Sequence, residues 1–323
     1  MATIDSRGRL HGKIGNAVYR TVGNTSIVQS RAGRVRQTQS TRESALEFGL
    51  VSNCGRILRE LYASYSSYSD GRLLNRMNVA LLKCLRDSEK PRGERDLQDG
   101  NPEHLKGLQF NIHSPLTEAL AVRPECFVEE GKVRVHLPAF KENGQLLQPK
   151  YSRSSVLRLM IVAINFREGY YEYLAYQDIE IGRGAVIAAQ DWQPELTLPA
   201  GSMVLVSASL HYFGMRGPDG EAPSLNSTVC SPAEIIGAFR IAEAEEPEQD
   251  QQASLQQKSQ STYRHILIDY RGRAILEEIA RRRKRYGRQG KRVPASEAGE
   301  QEPEDSLPAI KQPVMGKVFY QKE

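Results

Sequence analysis

The densest chemistry in this sequence is cationic. Arg281, Arg282, Arg283, Lys284 and Arg285, followed by Arg288, Lys291 and Arg292, place eight basic side chains in twelve residues with no acid among them. Guanidinium and ammonium groups at that density neutralise phosphates, so the run reads as a nucleic-acid or polyanion patch. A sparser set, Arg31, Arg34 and Arg36 with Arg42 beyond, could serve as a phosphate-contacting arm. No aromatic residue is interleaved there for a base to stack on, so a solvated connector is the competing reading. Two plainer readings compete for the C-terminal run. Cations are favourable near the C-terminus of a helix, although that needs only two or three. Alternatively, five acids between Glu243 and Asp250 and five between Glu297 and Asp305 could neutralise the run within the chain.

Nothing else in the sequence assembles a reaction. No phosphate-binding loop, HExxH, GxSxG or EF-hand pattern occurs. Gly182-Arg183-Gly184 reads as a strand terminator. The histidines His11, His104, His113, His136, His211 and His265 never pair at metal-ligand spacing, and no cysteine lies close enough to complete a site. The expectation is therefore no enzyme, no catalytic residue, no cofactor and no metal. Cys54, Cys84, Cys126 and Cys230 are widely spaced, which suggests reduced, mostly buried thiols. With no apolar leader and no run of roughly 18 apolar residues, the expected location is cytoplasmic, without membrane association.

The elements that would carry these residues are legible in outline. At 323 residues, 39% hydrophobic and a net charge of +5, the chain can bury a sizeable core, and its mild charge alone implies no polyanionic partner. Ala17–Val22 and Thr25–Gln29 alternate around Gly23-Asn24, a hairpin signature. A two-stranded ribbon is marginal in water, so it must dock on something or sit at a partner surface. Ser40-Thr41-Arg42-Glu43 has the form of a capping box, followed by a helical stripe of Leu46, Leu50, Cys54, Ile57 and Leu61. Asp70 is the expected N-cap of a second helix with Leu73, Met77, Leu81 and Cys84 on one face, and Tyr62, Tyr65 and Tyr68 fall in the connector.

Residues 88–107 are polar and read as a linker. Lys132–Leu137, Val156–Phe166, Tyr170–Tyr176, Leu196–Gly201, Met203–Phe213 and Ala233–Ile241 read as strands, with Val156–Ile164 and Met203–Leu210 as central ones covered on both faces. An acidic, glutamine-rich stretch and a helix over Ser261–Tyr286, interrupted at Gly272, complete the chain. Pro313–Tyr320 could add as a strand to a sheet edge.

The expected fold class is thus α+β: an N-terminal β-hairpin plus helical hairpin, then an immunoglobulin-like antiparallel β-sandwich and a partly disordered tail with one helix. The divisions are 1–42 (hairpin and basic arm), 43–87 (helical hairpin), 88–107 (linker), 108–241 (sandwich), 242–260 (acidic linker), 261–292 (basic helix) and 293–323 (tail). The corner Leu196-Thr197-Leu198-Pro199-Ala200-Gly201 resembles that of fibronectin type III and other immunoglobulin-like domains. Met203 and Val204 stand where those domains carry a corner tyrosine.

The layout also resembles a family of uncharacterised proteins common in Bacteroidota. The resemblance rests on Gly12-Lys13-Ile14-Gly15-Asn16-Ala17-Val18-Tyr19, the Arg36-to-Phe48 helix start, Leu105–Asn111 and the Leu-Pro-Ala-Gly corner. It covers residues 12–241, and the tail beyond Gln249 has no counterpart. It implies the fold and carries over no activity and no site residue. The leading functional expectation is a non-enzymatic structural or interaction protein with a protein partner. A nucleic-acid-associated protein using the two basic segments is the alternative, and a component of a phage-like or other large assembly is a third. Oligomeric state is left open.

Overall fold

Local chemistry folds the first thirty residues into more than a hairpin. Strands β1 (Ala2–Ile4), β2 (Leu10–Ile14), β3 (Ala17–Val22) and β4 (Thr25–Ser30) form a four-stranded antiparallel sheet in the order β1-β2-β3-β4. The Asp5 carboxylate builds the first turn. It accepts the Arg7 and Arg9 amides at 2.9 and 2.8 Å and lies 3.0 Å from His11 Nε2. The Arg9 amide, then His11, hold that carboxyl below the ordinary range. Gly15 and Gly23, at φ +56° and +60°, supply the left-handed residue of the two following turns. The computed structural model describes residues 2–31, 38–129, 131–218, 220–242, 264–266 and 272–290.

The helical pair follows. Helix α1 (Gln39–Leu61) is capped by Thr38, whose hydroxyl accepts the Thr41 amide at 3.2 Å, so the cap lies two residues before the expected Ser40. A single turn, α2 (Ala63–Ser66), leads to α3 (Leu73–Arg86). Asp70 acts just before α3: its carboxylate accepts the Arg72 and Ile112 amides and pairs with both Arg76 Nη atoms at 2.8 and 2.6 Å. The two helices meet closely at Gly55, where a Cβ would stand 2.6 Å from Asn78 Oδ1. The predicted stripe residues Leu50, Cys54, Ile57, Leu61, Leu73, Met77, Leu81 and Cys84 are all buried. Each leucine so buried contributes about 1.5–3 kcal/mol.

The strands after the helices are β5 (Glu125–Glu129), β6 (Lys132–Leu137), β7 (Phe140–Lys141), β8 (Ser154–Asn165), β9 (Tyr170–Gly182), β10 (Val186–Ile187), β11 (Gln190–Trp192), β12 (Met203–Phe213), β13 (Ala233–Arg240) and β14 (Arg264–Ile266). The central sheet runs β13-β12-β8-β9-β14, antiparallel throughout, with Met203 opposite Ile164 and Phe213 opposite Ser154. Smaller sheets, β11-β6-β5 and β10-β7, complete the set. The two long apolar runs are therefore neighbouring central strands, and both faces of the sheet are covered. Val162, Ile164, Met203, Leu205 and Ile235 share a core with α1 and α3. Leu157, Leu159, Ile161, Val204 and Val206 share another with Val133, Val135, Leu137 and Phe140 of the small sheets. That double coverage explains why neither strand alternates in polarity.

Several expectations need correction. Tyr62 and Tyr65, read as connector residues, are core side chains stacked against each other and on Phe110. Within residues 88–107, Leu97 and Leu105 are buried in short 3₁₀ turns, so apolar anchors hold a polar segment onto the core. Leu196–Gly201 forms no strand, although Leu198 is buried. Tyr170–Gly182 is one continuous strand. Arg264–Ile266, expected within a helix over Ser261–Tyr286, form strand β14, and the described helix α4 spans Gly272–Gly290. Ile275 and Leu276 of α4 pack on the core shared with α1 and α3. Tyr270, the acidic stretch at 243–260 and the tail at 291–323 lie outside the described residues. The chain divides into two compact units, Met1–Arg283 and Lys284–Glu323.

Candidate functional site

The polar residues inside the central sheet come first, because burial makes them expensive. Ser207, Ser209 and His211 alternate along β12 and so share one face. The register sets Ser209 opposite Arg158 on β8, and Arg158 opposite Asp178 on β9. Arg158 Nε and Nη2 donate to the two Asp178 oxygens, each at 2.7 Å, and the guanidinium lies 5.6 Å from the Tyr176 ring centroid. The Arg158 bonds hold the Asp178 carboxyl below its usual range. Ser209 Oγ lies 3.0 Å from His211 Nε2, and burial, then the Arg158 charge, lowers the pKa of that imidazole. Which of the two atoms donates depends on the imidazole tautomer.

The tyrosines at the end of α1 and in α2 close this strip from above. Tyr62, Tyr65 and Ser207 are buried side by side; the Tyr62 hydroxyl lies beside Ser207 and the Tyr65 hydroxyl beside Ser209 and Ser207, but among the described residues none of the hydroxyls of Tyr62, Tyr65 and Ser207 reaches good hydrogen-bond geometry. Ser209 is itself buried, which keeps its hydroxyl out of a substrate's reach. A serine beside a neutral histidine is half of a nucleophilic pair, but here it works as an internal polar layer. Its sequence signal was the polar spacing of two at Ser207, Ser209 and His211 inside an otherwise apolar strand. That signal was overlooked.

A second buried polar group is Glu234 on β13. One carboxylate oxygen takes Arg123 Nη2 at 2.9 Å and the other takes Gln109 Nε2, so the segment 107–123 is tied to the sheet edge. Lys106, Gly107, Arg123, Cys126 and Glu234 line a cavity of about 560 Å³. Lys106 also borders a shallow cavity of about 930 Å³ shared with Asp87, Lys90, Asp99 and Arg240. Opposite charges are already matched there: Lys90 lies 2.6 Å from Asp99, and Arg167 bonds both Asp96 and Asp99. The four cysteines are free, and burial pushes the Cys84 and Cys126 thiols up to about 12, far from thiolate reactivity. Among the described residues no group of three His, Cys, Asp or Glu side chains could hold a metal ion.

The predicted cation sites divide unevenly. Arg31 is exposed at the end of β4, and its amide donates to Asn16 O at 2.6 Å. Arg34 and Arg36 lie outside the described residues, as do Lys291 and Arg292. Arg281, Arg282, Arg283, Lys284, Arg285 and Arg288 all fall on α4. Arg282 Nε donates to Glu278 at 2.6 Å, and Arg281 approaches Glu277 and Glu278 at 3.9 and 4.0 Å. The first two cations thus have acidic partners on their own helix, one turn earlier; the acidic stretches at 243–250 and 297–305 lie outside the described residues. Like spacing on a helix makes those pairs local and weak, at about 0.3–0.5 kcal/mol each.

The N-terminal sheet is different in kind. None of its side chains is buried. Its register sorts the residues into two faces. One carries Ala2, Ile4, Leu10, Ile14, Ala17, Tyr19, Thr21, Ser26, Val28 and Ser30 with Gly12 in the middle, and has no charge. The other carries Thr3, His11, Lys13, Val18, Arg20, Val22, Thr25, Ile27 and Gln29. On the uncharged face Ile4, Leu10, Ile14 and Val28 are 68%, 38%, 49% and 60% exposed. No protein-family model matches the chain, and no curated protein sequence matches it. No helix among the described residues is long and apolar enough to cross a membrane.

Proposed function

We propose that this chain is a non-enzymatic interaction protein whose N-terminal sheet docks on a protein partner. The observation that carries the reading is the uncharged face of β1–β4, an apolar layer against which none of the described residues is buried. A sheet normally covers such a face with a second layer. Completing the burial of Ile4, Leu10, Ile14 and Val28, each roughly half exposed, would contribute about 4 kcal/mol in total. The remainder of the chain is then the scaffold that presents this sheet. An immunoglobulin-like sandwich remains our reading of the strand region, supported by the apolar layer between the central sheet and β11-β6-β5.

The test is capture from the native host with full-length protein, using nuclease-treated and untreated halves of the same lysate. A protein retained in both halves and lost with Ile14→Glu supports the reading. Retention unaffected by that substitution overturns it. A second reading, association with nucleic acid, draws on the opposite face, where His11, Lys13 and Arg20 lie near Arg7, Arg9 and Arg31, with Asp5 as the only acid in the first thirty-one residues. It predicts retention that is lost on nuclease treatment and falls steeply with salt. The pairing of Arg281 and Arg282 with Glu277 and Glu278 weakens the C-terminal half of that reading.

A further inference from the structure

We propose that the partner of the uncharged sheet face is a second copy of the same chain, in a face-to-face pair of N-terminal sheets. This rests on the docking reading above and names its occupant. The two faces of the sheet differ in what they can tolerate. A two-fold contact sets each patch against itself, so any charge on it meets its own sign. Lys13 and Arg20 forbid that arrangement on one face. The other, from Ala2 through Leu10, Ile14 and Tyr19 to Val28, has no charged side chain to repel its copy. An uncharged, twisted sheet face is best matched by another of the same twist, packed about 10 Å away with strands inclined by roughly 30°.

The size of the face sets the strength. Four strands about 4.8 Å apart and about five residues long give a footprint of roughly 320 Å². The total surface buried by two copies is then about 640 Å², below the roughly 1,000 Å² at which stable specific interfaces begin, so the contact is a weak one. The pair is accordingly reversible and dissociates on dilution. Its rim is cationic, with Arg7, Arg9 and Arg31 on each copy against Asp5 alone. Salt screens that repulsion and leaves the apolar contact intact, so association strengthens as ionic strength rises. Docking of a polyanion has the opposite salt dependence.

Sedimentation velocity on the full chain, over a hundredfold concentration range and at low and high NaCl, tests the pair. The expected result is a mass that climbs from one copy toward two and stops there, with tighter association at high salt. Ile14→Lys and Ile14→Glu should each be monomeric, whereas their equimolar mixture should recover dimer at low salt. Lys13→Glu, on the opposite face, should leave dimerisation in place and serves as the folding control. Three results would overturn the proposal. They are a wild-type monomer throughout, growth past two copies, and equal loss of dimer in Lys13→Glu and Ile14→Glu. A wild-type monomer that still captures a host protein through Ile14 would remove the second copy while leaving the docking reading standing.

Discussion

The same substitution at two buried tyrosines should have opposite signs. Tyr62 and Tyr212 are both fully buried. The Tyr212 hydroxyl donates to Leu147 O at 2.9 Å, whereas the Tyr62 hydroxyl has only Ser207 beside it, without good hydrogen-bond geometry, among the described residues. In the unfolded chain both are hydrated. Folding therefore exchanges one water bond for a protein bond at Tyr212, a net gain of about 1 kcal/mol, but leaves Tyr62 desolvated at a cost of about 1–3 kcal/mol. Tyr62→Phe removes that cost and leaves a gap worth several lost atom contacts, each about 0.1–0.2 kcal/mol. The net expectation is a gain of roughly 1 kcal/mol for Tyr62→Phe and a loss of roughly 1 kcal/mol for Tyr212→Phe. At about 2–4 °C per kcal/mol for a chain of this size, the two variants should melt about 4–8 °C apart. Thermal unfolding followed by circular dichroism reads this directly. If Tyr62→Phe loses as much as Tyr212→Phe, the reasoning fails and the Tyr62 hydroxyl is satisfied in solution. Non-additivity with Ser207→Ala would then identify a shared bridging water.

Other outcomes follow from the same geometry. Asp70, whose side chain is 3% exposed, has its carboxyl held far below the usual range, chiefly by Arg76. A depressed folded pKa means its contribution is complete above the unfolded value of 3.8 and disappears as pH falls below it toward the folded value. Asp70→Asn should thus cost about 2–3 kcal/mol at pH 7 by urea unfolding, with the gap to wild type closing below about pH 4. A gap at pH 2 as wide as the gap at pH 7 would contradict this. At Gly100 a Cβ would stand 2.2 Å from Cys84 O, so Gly100→Ala must displace backbone and should lose about 2–4 kcal/mol. A melting temperature equal to wild type would show that the 97–105 segment is not seated on α3. Thr38→Ala, which deletes the cap of α1, should lose about 1 kcal/mol in the same measurement.

Legibility followed the kind of interaction involved. Periodicity alone located the faces of α1 and α3, because an apolar stripe recurring every three or four residues has one stable placement. It also located β6, where Val133, Val135 and Leu137 are buried between exposed neighbours. Caps and turns were less secure. Thr38 and Ser40 are both competent caps, and the choice depends on where the preceding chain enters. The strands β1 and β2 were missed because Leu10–Ile14 contains Gly12 and Lys13 and has no clean alternation; they form by pairing with β3, a partner that propensity does not see. For the same reason the phenols of Tyr62 and Tyr65 read as connector residues, because Phe110, which packs on them, lies more than forty positions downstream. Within the basic run, Glu277 and Glu278 sat in plain view one helical turn away. They lie outside the two acidic blocks and pair with the run through i, i+4 spacing on α4.

The sequence by itself determined the long central strands, the buried stripes of α1, α3 and β6, and that no familiar catalytic motif is present. Those properties follow from period, turn chemistry and residue type, all of which act within about ten neighbouring positions. Only the tertiary structure decided that the helices cover one face of the central sheet, and that Arg158, Asp178, Ser209 and His211 meet across three strands. Only it revealed that the first thirty residues carry an uncharged face with no layer against it among the described residues. Each of these depends on register between distant strands, and a shift of one residue would send every side chain to the opposite face.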